Sequence, residues 1–225
     1  MKKINAKLIC AVAIIAIASI HSAYAQSPFN KLKGLVGQKG GGGDIDVEKV
    51  GDELVQQYVK ITKSLVAVQV AQLKAIDKKD LAADLEARSK DIGKTPGKKE
   101  VQKVVETSKK AQKEIDKLFN DSVELSEEVK KELAKSIPPF VVATVEAVEL
   151  PETAKRWADG AKAEMKGLGA LKLRKKLAVP LYIAPKIPKD LVTWAKSAKN
   201  LVGISKKQGI PVPKNTEKAL QDNYD

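Results

Sequence analysis

The sequence predicts an all-α protein, an elongated helical bundle of about five helices built around a long antiparallel helical hairpin. Three observations lead there. Residues 52–92 and 98–137 run for 41 and 40 positions without Gly or Pro, and spans of that kind belong to helices. Aromatic residues make up only 4% of the 225 positions while Ala, Val, Leu and Lys recur throughout, a mixture that suits helices better than sandwiches or barrels. Apolar residues also return three and four positions apart. At 43% hydrophobic and 31% charged, the chain has the material for one ordinary core.

The N-terminus reads as an address. Lys2, Lys3 and Lys7 precede an uncharged run of 13 residues, Leu8 to Ile20, and Ala23-Tyr24-Ala25 supplies small residues at the distance signal peptidase reads. Residues 1–25 are therefore expected to be a secretory signal peptide, leaving a chain that begins at Gln26. Thirteen residues fall short of the roughly 20 a membrane-spanning helix needs. Later uncharged stretches are shorter still, so no transmembrane segment is expected after cleavage. Residues 26–43, with Gly34, Gly37 and Gly40–Gly43, read as a flexible leader containing at most a short helix from Pro28 to Val36.

Residues 44–137 are expected to form the long hairpin. Val47, Leu54, Ile61, Val68 and Ala75 recur every seven residues, with Tyr58, Leu65 and Gln72 between them, and Val59, Val66 and Leu73 form a second row. Two apolar rows place this helix at the centre of the bundle. Val66, Val68 and Val70 alternate as a strand would, but the seven-residue rows favour helix. Leu81, Leu85 and Ile92 continue the first arm, and Gly93–Gly97 supplies dense turn chemistry for the bend. In the second arm Val101, Val105, Ser108, Gln112, Ile115 and Phe119 make a narrow stripe. Ser126 before Glu127 and Glu128 is an N-cap, and Pro138-Pro139 is expected to stop the helix that follows.

Residues 138–208 complete the bundle as a basic helical region. Val141, Val145 and Val148 fit a helix begun at Pro139, although Phe140–Val145 also passes for a buried strand. Pro151 breaks or kinks the chain before a face of Ala154, Trp157, Ala158, Ala161, Met165 and Leu168. Pro180 and Pro185 make Leu177–Pro185 an extended, buried segment, and a last helix from Pro188 to about Ser205 carries Leu191, Trp194, Ala195, Ala198, Leu201 and Val202 on one face. Residues 209–225 read as a docked or frayed tail.

Composition narrows the chemistry. The only His and Cys are His21 and Cys10, both in the expected signal peptide, so His- or Cys-based triads, disulfides and His/Cys metal sites are excluded from the processed chain. Gly93-Lys94-Thr95 echoes a phosphate loop, but Arg88 occupies the required earlier glycine position. Glu146 and Glu149 flank an apolar run as a carboxylate pair would, and Asp44, Asp46, Glu48 and Asp52 cluster as hard-cation ligands would. Helix edges and helix N-termini account for both groups. No enzyme activity, cofactor or metal is expected.

Charge supplies the remaining signal. The formal charge is +13, and it is uneven: residues 26–150 sum to +1 and residues 151–225 to +9. In an exported protein such an excess points to anionic lipid, an acidic envelope polymer or an acidic protein, and not to nucleic acid. The candidate residues are Lys172, Arg174, Lys175 and Lys176, with Lys189, Lys196, Lys199 and Lys206 on the last helix and Trp194 on its apolar face. A basic helix with Trp opposite suits an interfacial membrane binder, and equally a surface helix packed on its own bundle. The functional expectation is an exported, non-enzymatic protein, periplasmic or secreted, that acts by binding in the cell envelope. It would meet an envelope protein, or itself, through the hairpin; the alternative is a membrane-active or lipid-carrying protein engaging anionic surfaces through its basic third.

Overall fold

The computed structural model describes residues 46–93, 95–119, 122–165, 170–213, 218 and 220–222. The expected signal peptide at 1–25, the glycine-rich leader at 26–43 and Leu168 lie outside the described residues. Among those described, every regular element is helical and there is no strand, including at Val66–Val70 and Phe140–Val145. The longer helices are α1 (Val47–Ala75), α2 (Lys79–Asp91), α3 (Lys98–Leu118), α4 (Glu127–Glu146) and α5 (Leu150–Glu164). Two short helices, α6 (Ala170–Lys176) and α7 (Ala178–Ile183), lead into α8 (Ile187–Lys207).

Helix α1 is the centre. Leu54, Ile61, Val68 and Leu73 are fully buried, and Val59 and Val66 on the second row are buried as well. Its exposed positions are few: Glu48, Lys49, Asp52, Gln56, Lys63, Ala67 and Lys74. The helix starts at Asp46, whose carboxylate accepts the Lys49 N–H at 3.0 Å, as an N-cap acid should.

The first arm differs from expectation. The helix ends at Ala75, and Asp77 takes φ 56°. The Lys78 N–H donates to the Leu73 carbonyl at 2.8 Å and the Asp77 N–H to the Lys74 carbonyl at 3.2 Å, the Schellman pattern with Asp in the position usually held by Gly. Asp tolerates this left-handed conformation because its short polar side chain hydrogen-bonds locally. The chain therefore reverses at Ile76–Lys78, and α2 runs back along α1 until Lys63 Nζ meets the Ile92 carbonyl at 2.7 Å. A second reversal at the expected glycine-rich bend sends α3 forward again. Four shorter helices, α1 and α2 and then α3 and the first half of α4, stand where two 40-residue arms were expected.

Two ion pairs fix α4 antiparallel to α1: Lys74 to Glu132 at 2.8 Å and Lys60 to Glu146 at 2.7 Å. Ser126 caps α4 as expected, accepting the Val129 N–H at 3.3 Å. Pro138 and Pro139 do not stop this helix but lie inside it. Val129, Leu133, Ile137, Phe140, Val141 and Thr144 form one continuous buried face across the prolines, and that burial offsets the roughly 3 kcal/mol an interior proline costs.

Leu177–Pro185 is also corrected: most of it is helical, not extended. Pro180 falls in the first turn of α7, where no N–H is needed, and Pro180 and Ile183 are buried. In α5 Pro151 likewise opens the helix without breaking it. Trp157 of α5 donates its indole N–H to the Val47 carbonyl at 2.8 Å, pinning α5 to the start of α1. Helix α8 ends in a second Schellman motif, with Gly209 at φ 67° and the Ile210 N–H donating to Ser205 at 2.8 Å. Leu220 in the tail is buried.

Candidate functional site

The sequence-predicted basic residues divide into two groups. On α6, Arg174, Lys175 and Lys176 are exposed, and Lys176 pairs with Glu48 of α1 at 2.9 Å, so part of that patch ties α6 to the bundle. The side chain of Lys172 lies outside the described residues. On α8, Lys189, Lys196 and Lys206 are exposed and Lys199 is half-buried.

Trp194 departs from the expectation of a surface-binding residue. It is 5% exposed, and its ring packs against Tyr58 with centroids 5.4 Å apart at 59°. Leu191, Ala195, Ala198, Leu201 and Val202 are buried beside it. The apolar face of α8 is packed into the core of its own bundle.

The outer face of α8 carries the remaining chemistry. Lys189, Val192, Lys196, Lys199, Gly203 and Lys206 follow at intervals of three and four residues, a single stripe roughly 26 Å long at 1.5 Å per residue. No acid interrupts it. The only carboxylate of α8, Asp190, accepts the Tyr58 hydroxyl at 2.8 Å. Burial of Tyr58, reinforced by the neighbouring Asp190 carboxylate, pushes that phenol far above the ordinary tyrosine value and keeps it protonated as the donor. Val192 is 70% exposed within the stripe, and Leu171 on α6 is 77% exposed.

A second feature escaped sequence reasoning. Between α1, α3 and α8 lies a groove of about 310 Å³. Its wall is a polar ladder, buried at Gln69 and Ser108: Ser108 Oγ donates to Gln69 Oε1 at 2.8 Å, and Gln69 Nε2 donates to Gln112 Oε1 at 2.9 Å and to the Ser108 carbonyl at 3.2 Å. Gln112 Nε2 in turn donates to Asp116 at 2.8 Å. Leu65, Val105 and Trp194 line it, together with Lys109, Lys113 and Lys189. The signal available beforehand was the placing of Ser108 and Gln112 on an otherwise apolar stripe; the partner helix was not readable.

Three of the acids singled out from sequence, Glu146, Asp46 and Glu48, have structural partners. Glu146 is 15% exposed and paired with Lys60, Asp46 caps α1 and Glu48 meets Lys176; Asp44 lies outside the described residues. Among the described residues no group of three or more His, Cys, Asp or Glu side chains gathers as a metal ion would require, and no helix is long and apolar enough to cross a membrane. No protein-family model, curated protein or solved structure matches the chain.

Proposed function

We propose that this is an exported, non-enzymatic helical protein that acts by binding an acidic partner in the cell envelope, with α8 as its contact face. The observation that carries this reading is the acid-free stripe on α8, exposed along most of its length while the opposite, Trp194-bearing face is buried. A helix whose apolar side is already packed attracts by charge, not by insertion. In this reading the bundle is elongated along α1, whose 29 residues span roughly 44 Å. The chain reaches the envelope after cleavage behind Ala25, and intact mass of the exported form should correspond to a start at Gln26.

A second reading is favoured by Leu171 and Val192, two exposed aliphatic side chains among cations. Together they suit shallow contact with an anionic lipid surface. One experiment separates the readings. Binding is measured to soluble polyglutamate, to vesicles containing phosphatidylglycerol and to neutral vesicles, each at low and high salt. Acidic-partner binding requires polyglutamate to bind, to weaken as exposed charges are screened over about 10 Å at 0.1 M ionic strength, and to be lost in a Lys196→Gln/Lys199→Gln/Lys206→Gln variant. Binding confined to acidic vesicles and dependent on Val192 and Leu171 selects the lipid reading. Indifference to salt and to these substitutions would remove α8 as a binding face.

A further inference from the structure

We infer that the groove between α1, α3 and α8 is a binding site for a single-chain amphiphile with an anionic head. Most polar groups facing the groove are already engaged. Gln69, Ser108 and Gln112 hydrogen-bond one another. Asp116 accepts from Gln112 and Asp190 from Tyr58, while Thr62 and Thr193 donate to the carbonyls of Tyr58 and Lys189 within their own helices. The polar wall thus has its strongest hydrogen bonds made internally, and it holds its shape without a ligand.

What remains unclaimed is of two kinds. Leu65, Val105 and Trp194 present apolar surface, and Lys109, Lys113 and Lys189 present three ammonium groups that have no partner among the described residues. Lys109 and Lys113 are one helical turn apart on α3, with Lys189 supplied by α8. Three cations against two engaged carboxylates leave the groove positive. Apolar lining beside three lysines complements a short acyl tail with a carboxylate or phosphate head, and disfavours a cationic or wholly polar ligand. A volume of about 310 Å³ lies near the lower end of the roughly 300–1,000 Å³ typical of small-molecule sites. At about 30 Å³ per water-sized group it takes on the order of ten such groups, which fits one tail of medium length and not a two-chain lipid.

The site is independent of the α8 stripe except at Lys189, so the test leaves that residue alone. Decanoate, decyl phosphate, decanol and acetate are titrated into the full chain, with stoichiometry read by native mass spectrometry and location by the two tryptophan indole resonances. Saturable uptake of one decanoate or decyl phosphate per chain is expected, the better binder identifying the head. Trp194 should shift and Trp157, hydrogen-bonded to Val47 away from the groove, should not. Lys109→Gln/Lys113→Gln should weaken binding by about tenfold or more, as expected for losing a charge-assisted hydrogen bond, and Thr193→Phe, which fills the groove from an exposed position, should abolish it. Lys196→Gln/Lys199→Gln/Lys206→Gln should leave it unchanged, so failure of the acidic-partner reading and failure of this one are distinguishable. Decanol or acetate binding as tightly as decanoate, non-saturating uptake, an unmoved Trp194, or full affinity in the α3 double variant would each overturn the proposal.

Discussion

Gly51 is where three helices converge, and it does so by lacking a side chain. A Cβ there would sit 3.0 Å from Trp157 Nε1 and 3.2 Å from Pro180 Cγ, so α5 and α7 approach α1 only because the position is glycine. The same approach lets the Trp157 indole reach the Val47 carbonyl. Gly51→Ala should therefore destabilise the fold by about 1–3 kcal/mol, since crowding the rigid indole outweighs the gain in helix propensity of about 1 kcal/mol. Gly203 is the control. It lies inside α8 with nothing within 4 Å of a built Cβ, so Gly203→Ala should stabilise by about 0.5–1 kcal/mol through propensity alone. Urea unfolding of the two variants checks both signs; equal effects would mean that the close approach at Gly51 does not constrain the packing.

At the scale of elements, the reversal at Ile76–Lys78 decides whether residues 47–92 form one long rod or an antiparallel pair. Among the described residues two Schellman closures occur, one around Gly209 and one around Asp77, and only the first contains the residue that announces such a turn. Because Asp77 is exposed and sits at φ 56°, Asp77→Gly should be neutral or stabilising by up to about 1 kcal/mol, whereas Asp77→Val should cost about 1–2 kcal/mol, β-branching being poorly tolerated there. Thermal unfolding followed by circular dichroism reads the difference. A stabilised Val variant would argue that the turn is not left-handed. The prolines of α4 teach the complementary lesson. Pro138 and Pro139 look like a stop, yet the Ile137 and Phe140 side chains on either side are fully buried, and tertiary packing carries the helix through.

For the molecule as a whole, one connected core reaches from Val47 through α2, α3, α4, α5, α7 and α8 to Leu220. A single core has no internal boundary at which half the protein can open, so unfolding should be cooperative. The two tryptophans make this measurable. Trp157 reports the α1–α5 contact and Trp194 the α1–α8 contact, and their fluorescence changes should coincide with the loss of helix seen by far-ultraviolet circular dichroism across a urea titration. Transitions that separate would show that α8 detaches before the rest and that the groove it closes is a transient feature.

The all-helical class, the central position of residues 47–75, the Ser126 cap and the buried face of the last helix were legible in the sequence, because each rests on local periodicity or capping chemistry that a few neighbouring residues encode. The uneven charge was legible too, as was the loss of imidazole and thiol chemistry beyond residue 25, since both are properties of composition. What only the tertiary structure decided depends on residues distant in the chain. Burial across Pro138-Pro139 overrides a local stop, Asp77 turns the chain without Gly, and Tyr58 meets Trp194 over 136 positions, taking the tryptophan from a possible membrane contact into the core. The groove belongs to the same class: Gln69, Ser108 and Lys189 come from three helices, and no spacing within any one of them describes a space that exists only between them.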